Sequence, residues 1–284
     1  MSATSIFGAK KTKTTALNLL LVIVLLIASL LMLFPFLWML STSLRTDVET
    51  FKNPMNWIPS SLYFNNYKQV WTTIPFGDYY WNTIKLSVII TGLQVIICSM
   101  SAYAFARLKV PFKNAIFLLF MTNMMVPWQS IMVPQFAIVS KLGLYNTHTG
   151  YILVQVFSAF GIFLMRQFFL SLPLELNEAA RVDGSSEWRI FWRIMMPLAK
   201  PGLSTLSIFT FTFIWNDYLA PLIYIHDEKL KTLQLGLQVF RTEHTMDYGL
   251  TMAGTVCAIL PMVIIFLAGE SFFTKGVAFS GMKN

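Results

Sequence analysis

The stretch Ala16-Leu-Asn-Leu-Leu-Leu-Val-Ile-Val-Leu-Leu-Ile-Ala-Ser-Leu-Leu-Met-Leu-Phe-Pro-Phe-Leu-Trp-Met-Leu40 contains no charged residue. About 20 apolar residues suffice to cross hydrocarbon as an α-helix, and a soluble helix would return to polar residues every turn. The run therefore predicts a membrane span. Lys10, Lys11 and Lys13 precede it, but it is too long for a signal-peptide core and no small-residue cleavage site interrupts it, so it reads as a retained first span.

Five more apolar blocks follow, at about 84–106, 115–136, 150–169, 202–224 and 252–273. The expectation is an all-α integral membrane protein of six transmembrane helices, forming one transmembrane domain over residues 1–284 with no internal repeat and no second soluble domain. Composition agrees. Hydrophobic residues make up 56% of the chain and charged residues 12%, too few charges to clothe a soluble surface. The formal net charge of +8 is spread between apolar blocks without a basic stripe, which excludes nucleic acid as a partner and leaves membrane lipid.

An even number of spans puts both termini on one side. With the N-terminus inside, 13 of the 21 Lys and Arg residues fall on that side and 8 on the other, so the positive-inside rule predicts cytoplasmic termini. The outer segments are then about 43–82, 137–149 and 225–250. Cys98 and Cys257 lie inside apolar blocks and read as small core residues, not a disulfide framework.

The longest inner loop, Ser171 to Leu198, reads as two short helices. Pro173 suits a first turn, and Glu175 and Glu178 lie early, where the helix dipole favours negative charge. Leu172, Leu176, Ala179 and Ala180 share one face, and Asp183-Gly184 is a stop signal. A second helix is expected from Ser185 or Ser186, with Trp188, Phe191, Trp192 and Met195 on one stripe and Pro197 ending or kinking it.

In this loop Glu178-Ala179-Ala180, Asp183-Gly184, Ile194 and Pro197-Leu198 resemble the "EAA" loop of ABC importer permeases. Along the rest of the chain, Asn82-Thr83, Ala102-Tyr-Ala-Phe-Ala-Arg107, Met124-Met-Val-Pro-Trp-Gln129, Trp215-Asn216-Asp217 with Pro221, and Gly281-Met-Lys283 are similar to the maltose-type carbohydrate permeases of that class. Glu270 and the ending Met282-Lys283-Asn284 depart from the family's usual glutamine and Val-Lys-Gly. The resemblance implies a type I ABC importer permease in a bacterial or archaeal cell (inner) membrane. Its implied partners are a second homologous permease subunit, two ATPase subunits and an extracytoplasmic sugar-binding protein. It also implies that Glu178, Ala179, Ala180, Asp183 and Gly184 couple to the ATPase, and that the loop holding Arg241, Glu243, His244 and Asp247 contacts the binding protein.

Within the membrane, Asp217 needs water, a partner or a pathway, because an ionised carboxylate at the centre of a span costs about 2.5 to 3.5 kcal/mol on insertion scales. Asn216 and Asp217 either line the translocation path or satisfy backbone groups freed by Pro221. Trp128 and Trp215 offer faces on which a sugar ring could stack. Asn123, Pro127, Gln129 and Pro134 predict an irregular third span. No Gly-Lys pair occurs, so a phosphate-cradling loop is absent. His148, His226 and His244 stand apart without metal-ligand spacing. No catalytic residue, metal or cofactor is expected, and ATP hydrolysis falls to another chain. Other cargoes, namely glycerol phosphate, polyols or amino acids, stay open, and a secondary transporter is the rival class.

Overall fold

A computed structural model describes residues 4–52, 57–240 and 247–281 of the chain. All regular structure among the described residues is helical, as hydrocarbon demands of a chain whose backbone must satisfy itself. The α-helices in chain order are α1 (Thr4–Ser43), α2 (Asp47–Lys52), α3 (Asn65–Thr73), α4 (Phe76–Arg107), α5 (Lys113–Thr122), α6 (Trp128–Lys141), α7 (His148–Gln155), α8 (Ala159–Ser171), α9 (Glu175–Val182), α10 (Glu187–Ile190), α11 (Met196–Leu198), α12 (Lys200–Trp215), α13 (Leu219–Tyr224), α14 (Leu233–Leu237) and α15 (Tyr248–Gly281).

The six apolar blocks are all helical, but they are not six uninterrupted spans. Three helices are long and apolar enough to cross alone, over Asn18–Ser43, Phe76–Arg107 and Tyr248–Leu267. The third and fourth blocks are bent pairs: α5 with the turn to Met125 meets α6 at 101°, and α7 meets α8 at 45°. Counting each pair as one crossing gives five. The block at 202–224 is a 16-residue helix and a 6-residue helix. The first of these rises about 24 Å, short of the roughly 30 Å of hydrocarbon.

Each break has a local cause. Pro127 disfavours helical backbone at the preceding residue, and Val126 is extended at φ −88°, ψ 117°. At the second break, Ser158 is extended and its side chain accepts from the N–H of Gly161 at 3.0 Å, starting α8 afresh. The carbonyl of Gln155 that α7 leaves free accepts from the amide of Gln94 at 2.8 Å. In the 202–224 block, α12 ends at Asn216, and Asp217 accepts from the N–H of Ala220 at 3.2 Å to start α13.

Contacts divide the chain into two units, residues 1–70 with 243–257 and residues 71–242 with 258–284. In the first, no residue of the most apolar stretch of α1 is buried among the described residues. Beyond it, Asn66 donates to the carbonyls of Ser43 and Arg45 at 2.9 and 2.8 Å, tying the start of α3 to the end of α1. Gly249 fits because a Cβ there would lie 2.5 Å from the Asn66 amide.

The second unit is organised around α4. Leu86, Ile90, Gln94, Cys98, Ala102 and Ala106 form a buried row at four-residue spacing, the ridge along which helices pack. Its small members admit α8, where a Cβ on Gly161 would lie 3.0 Å from the Cys98 sulfur. Leu86 and Ile90 join a core with Tyr151, Ile214, Tyr224 and Leu235. Cys98, Ala102 and Tyr103 join one with Met165, Phe169, Phe191 and Leu206.

Candidate functional site

The loop after α8 folds as the two short helices expected. Pro173 lies just before α9, outside its first turn. At the other end Ser185 N–H donates to Ala180 O at 2.9 Å and Gly184 N–H to Arg181 O at 3.0 Å, the paired bonds of a Schellman stop. Gly184 takes φ +76°, a backbone that a Cβ penalises. Ser186 caps α10 by accepting from the N–H of Arg189. The stripe of Phe191 and Met195 is buried. Pro197 has no N–H, and the chain passes through a π turn at Phe191–Met195 before α11, so this proline kinks the second helix.

Asn177 and Ala180 are buried, whereas Leu176 and Ala179 are exposed. A polar residue can occupy the core because Tyr103 on α4 stands opposite, and the Asn177 amide donates to its hydroxyl at 3.3 Å. Tyr103 in turn donates to Glu187 at 2.6 Å. The other Glu187 oxygen accepts from Arg181 at 2.6 Å, and that bond holds the Glu187 carboxyl below its usual range. Arg107 closes the arrangement by donating to the carbonyls of Phe169 and Leu172. Glu178, Ala179, Asp183 and Gly184 remain on the exposed side, beside Val182 and Trp188, exposed by 88% and 61%. Of the five expected coupling residues, only Ala180 faces inward.

The expected path residues divide. Trp128, Asn216 and Asp217 border one cavity of about 690 Å³, with Gln129, Gln155 and Phe213. Trp215 does not. It is 1% exposed, donates its indole N–H to the Ala258 carbonyl at 3.0 Å and stacks on Phe211. Asn216 donates to the Thr212 carbonyl at 2.9 Å. Besides its bond to Ala220, Asp217 accepts from Tyr151 at 2.9 Å and from Gln155 at 2.8 Å. Asn216 and Asp217 thus bond the Thr212 carbonyl and the Ala220 N–H at the break, not a group freed by Pro221, and both border the cavity.

On the far end of α4, residues 225–240 are fastened in the same manner. Tyr79 donates to Glu228 at 2.6 Å, Asn82 to the carbonyls of Lys229 and Lys231, and Thr83 accepts from Leu233 N–H at 2.8 Å. Arg241, Glu243 and His244 lie outside the described residues. Asp247 accepts from Leu250 N–H at 2.7 Å, capping α15. Sequence reasoning missed Asn177, Gln94, Gln155 and Tyr151. Gln94 and Gln155 carried a legible signal as amides inside apolar blocks. Among the described residues no group of His, Cys, Asp and Glu could hold a metal.

Comparison with known proteins agrees with this architecture. The chain is 32% identical over 277 residues to the arabinooligosaccharides transport system permease protein AraQ of Halalkalibacterium halodurans, covering 96% of this chain and 99% of that one. It is 31% identical to the sn-glycerol-3-phosphate transport system permease protein UgpE of Yersinia pestis, covering 90% and 94%. A chain in the crystal structure of a bacterial ABC transporter involved in import of the acidic polysaccharide alginate superposes with a TM-score of 0.82 at 24% identity, covering 92% of this chain and 98% of that one. The model of the family described as binding-protein-dependent transport system inner membrane component matches residues 94–274. The chain belongs to that family of membrane-embedded permeases.

Proposed function

We propose that the chain is one permease subunit of an ATP-driven saccharide importer, with residues 1–284 forming a single permease domain and both termini in the cytoplasm. It pairs with a second, homologous permease, two ATPase subunits and an extracytoplasmic sugar-binding protein. The observation that carries this reading is the loop at 171–198. Its underside is fixed to α4 through Tyr103, Asn177, Arg181 and Glu187, while Glu178, Ala179, Val182, Asp183 and Gly184 face outward. A knob held from below, with small, apolar and acidic residues on its outer face, can transmit a rigid push from a docked ATPase to α4 and α12, tipping the permease between inward-open and outward-open states.

A glycerol phosphate cargo is favoured by the likeness to UgpE. The wall of the cavity beside Asp217 argues for a neutral sugar instead. Trp128 and Phe213 offer faces, Gln129, Gln155 and Asn216 offer amides, and among the described residues no Lys or Arg lines it to meet a phosphate. The test is uptake by the complete complex in lipid vesicles, with its binding protein, ATP and labelled saccharides or glycerol 3-phosphate. ATP-dependent saccharide uptake is expected. Uptake of glycerol 3-phosphate alone would reassign the cargo, and an undiminished rate with Glu178→Lys and Val182→Glu together would remove the docking role.

A further inference from the structure

Two cavities meet along the broken 202–224 segment. One of about 740 Å³ is bordered by Asn146, His226, Asp227, Lys231 and Gln238, on the side the charge tally assigns to the exterior. The other, of about 690 Å³, is the cavity of Trp128, Gln155, Asn216 and Asp217. Both have the size of small-molecule sites. Among the described residues, Tyr218 is the one that borders both. Gln155 and Phe213 also border a third space of about 410 Å³ walled by Phe157, Phe160 and Phe209.

The backbone around Tyr218 is held in place. Asp217 is fixed by Tyr151, Gln155 and Ala220, and the carbonyl of Tyr218 accepts from Leu222 N–H at 3.1 Å. The Tyr218 ring is only half-buried, packed beside the core of Ile214, Ala220 and Tyr224. With the main chain pinned, side-chain rotation is the motion left to the ring, and half-exposed side chains change rotamer without opening the fold. A tyrosine also gives a saccharide an apolar face and a hydroxyl together.

We propose that Tyr218 is the barrier between an outer antechamber and the deeper cavity, and that the bulk of its ring limits the length of saccharide that passes. The barrier is inferred from the two cavities that Tyr218 borders; the length limit rests on the saccharide reading above.

The experiment uses the complete complex with its partner subunits. Gln238→Cys reports on the outer cavity and Asn216→Cys on the deeper one, each labelled from outside with a charged, impermeant methanethiosulfonate. The otherwise unsubstituted complex serves as the blank for Cys98 and Cys257. Labelling of Asn216→Cys is expected to accelerate at least tenfold when Tyr218→Ala is added and to stay unchanged with Tyr218→Phe. Gln238→Cys should react equally in all three backgrounds. Equal rates at Asn216→Cys with Tyr218 and with Tyr218→Ala would overturn the barrier, as would labelling of Gln238→Cys only from the opposite side. Tyr218→Leu replaces Tyr218→Ala if the latter fails to co-purify with its partners. In the second arm, the ratio of hexasaccharide to disaccharide uptake should rise severalfold with Tyr218→Ala and fall with Tyr218→Trp. An equal loss at every length would overturn the size limit. Absence of saccharide uptake by the unsubstituted complex would overturn the saccharide reading, with the barrier still judged by the labelling rates.

Discussion

The two ends of α4 carry the same device in different surroundings. At one end Tyr103 donates to Glu187, whose second oxygen accepts from Arg181; at the other Tyr79 donates to Glu228, whose second oxygen accepts from Lys231. The two tyrosines are 24 positions apart, about 36 Å along a helix and close to one membrane thickness. The inner carboxylate belongs to a network that also takes in the buried Asn177, and the Glu187 side chain is 42% exposed. The outer one is 67% exposed beside a lysine three residues away. The comparison teaches that exposure of a carboxylate and burial of its tyrosine are separate matters: Tyr79 and Tyr103 are 1% and 4% exposed, so at both ends a buried hydroxyl depends on a carboxylate that water can reach.

Replacement of each glutamate is the strongest way to break this comparison. Glu187→Ala leaves the Tyr103 hydroxyl, 4% exposed as a residue, without its acceptor, and an unsatisfied buried group costs about 1–3 kcal/mol. Glu228→Ala likewise strands the Tyr79 hydroxyl, 1% exposed as a residue, at a comparable cost, and removes a surface pair worth roughly 0–1 kcal/mol. Thermal unfolding of the purified complex should therefore show a loss at both ends, and Tyr103→Phe and Tyr79→Phe should each cancel much of it in a double-mutant cycle. A loss at one end only would mean that burial of the tyrosine does not set the cost.

A second contrast concerns two of the residues with left-handed backbone, Gly184 at φ +76° and Asn146 at φ +57°. A Cβ on Gly184 would meet nothing within 4 Å, so Gly184→Ala should cost only the backbone term of about 1–2 kcal/mol, and Gly184→Asn less. Asn146 earns its place through its side chain, which accepts from His226 N–H at 2.9 Å and Asp227 N–H at 2.8 Å. Asn146→Gly would keep the backbone and lose both bonds, at about 1 kcal/mol for exposed donors that water can serve. Hydrogen exchange at Ser185 and at His226 reads the two sites separately. Faster exchange at His226 in Asn146→Gly, with Ser185 unaltered, is the expected result.

How far the sequence discloses these features depends on the range of the interactions. The apolar blocks are legible because hydrocarbon acts on every residue of a span. The breaks at Pro127 and at Asn216-Asp217 are legible because proline and buried carboxylates act on their own neighbours. The break at Ser158 carries no proline, and its freed Gln155 carbonyl is satisfied by Gln94, 61 residues away. The inward face of α9 is not legible for the same reason. Leu176 and Ala179 look like the buried choice by hydrophobicity, but Asn177 wins because Tyr103 lies 74 residues earlier on a packed helix. Trp215 looked like a stacking surface, and only its contact with Ala258 reveals a packed indole.

The smallest expected effect is one of pH, and it sharpens the same comparison. The carboxyl of Glu187 is held below its ordinary value first by the bond from Arg181, and that of Glu228 first by the bond from Lys231. A carboxyl whose folded pKa is depressed adds stability above its unfolded value, near 4.3, and loses it as pH falls through the folded value. Both glutamates therefore contribute fully at neutral pH and progressively less in acid. Glu187→Gln and Glu228→Gln remove the titrating group while keeping its shape, so the gap in melting temperature between each variant and the unsubstituted complex should be widest near pH 7 and shrink on acidification. Added salt distinguishes the ends, because an exposed pair is screened more than a partly buried one. At high ionic strength the gap at pH 7 should nearly vanish for Glu228→Gln and persist for Glu187→Gln. A gap for Glu187→Gln that does not change with pH would show that its bonds to Tyr103 and Arg181 do not depend on the charge of the carboxylate.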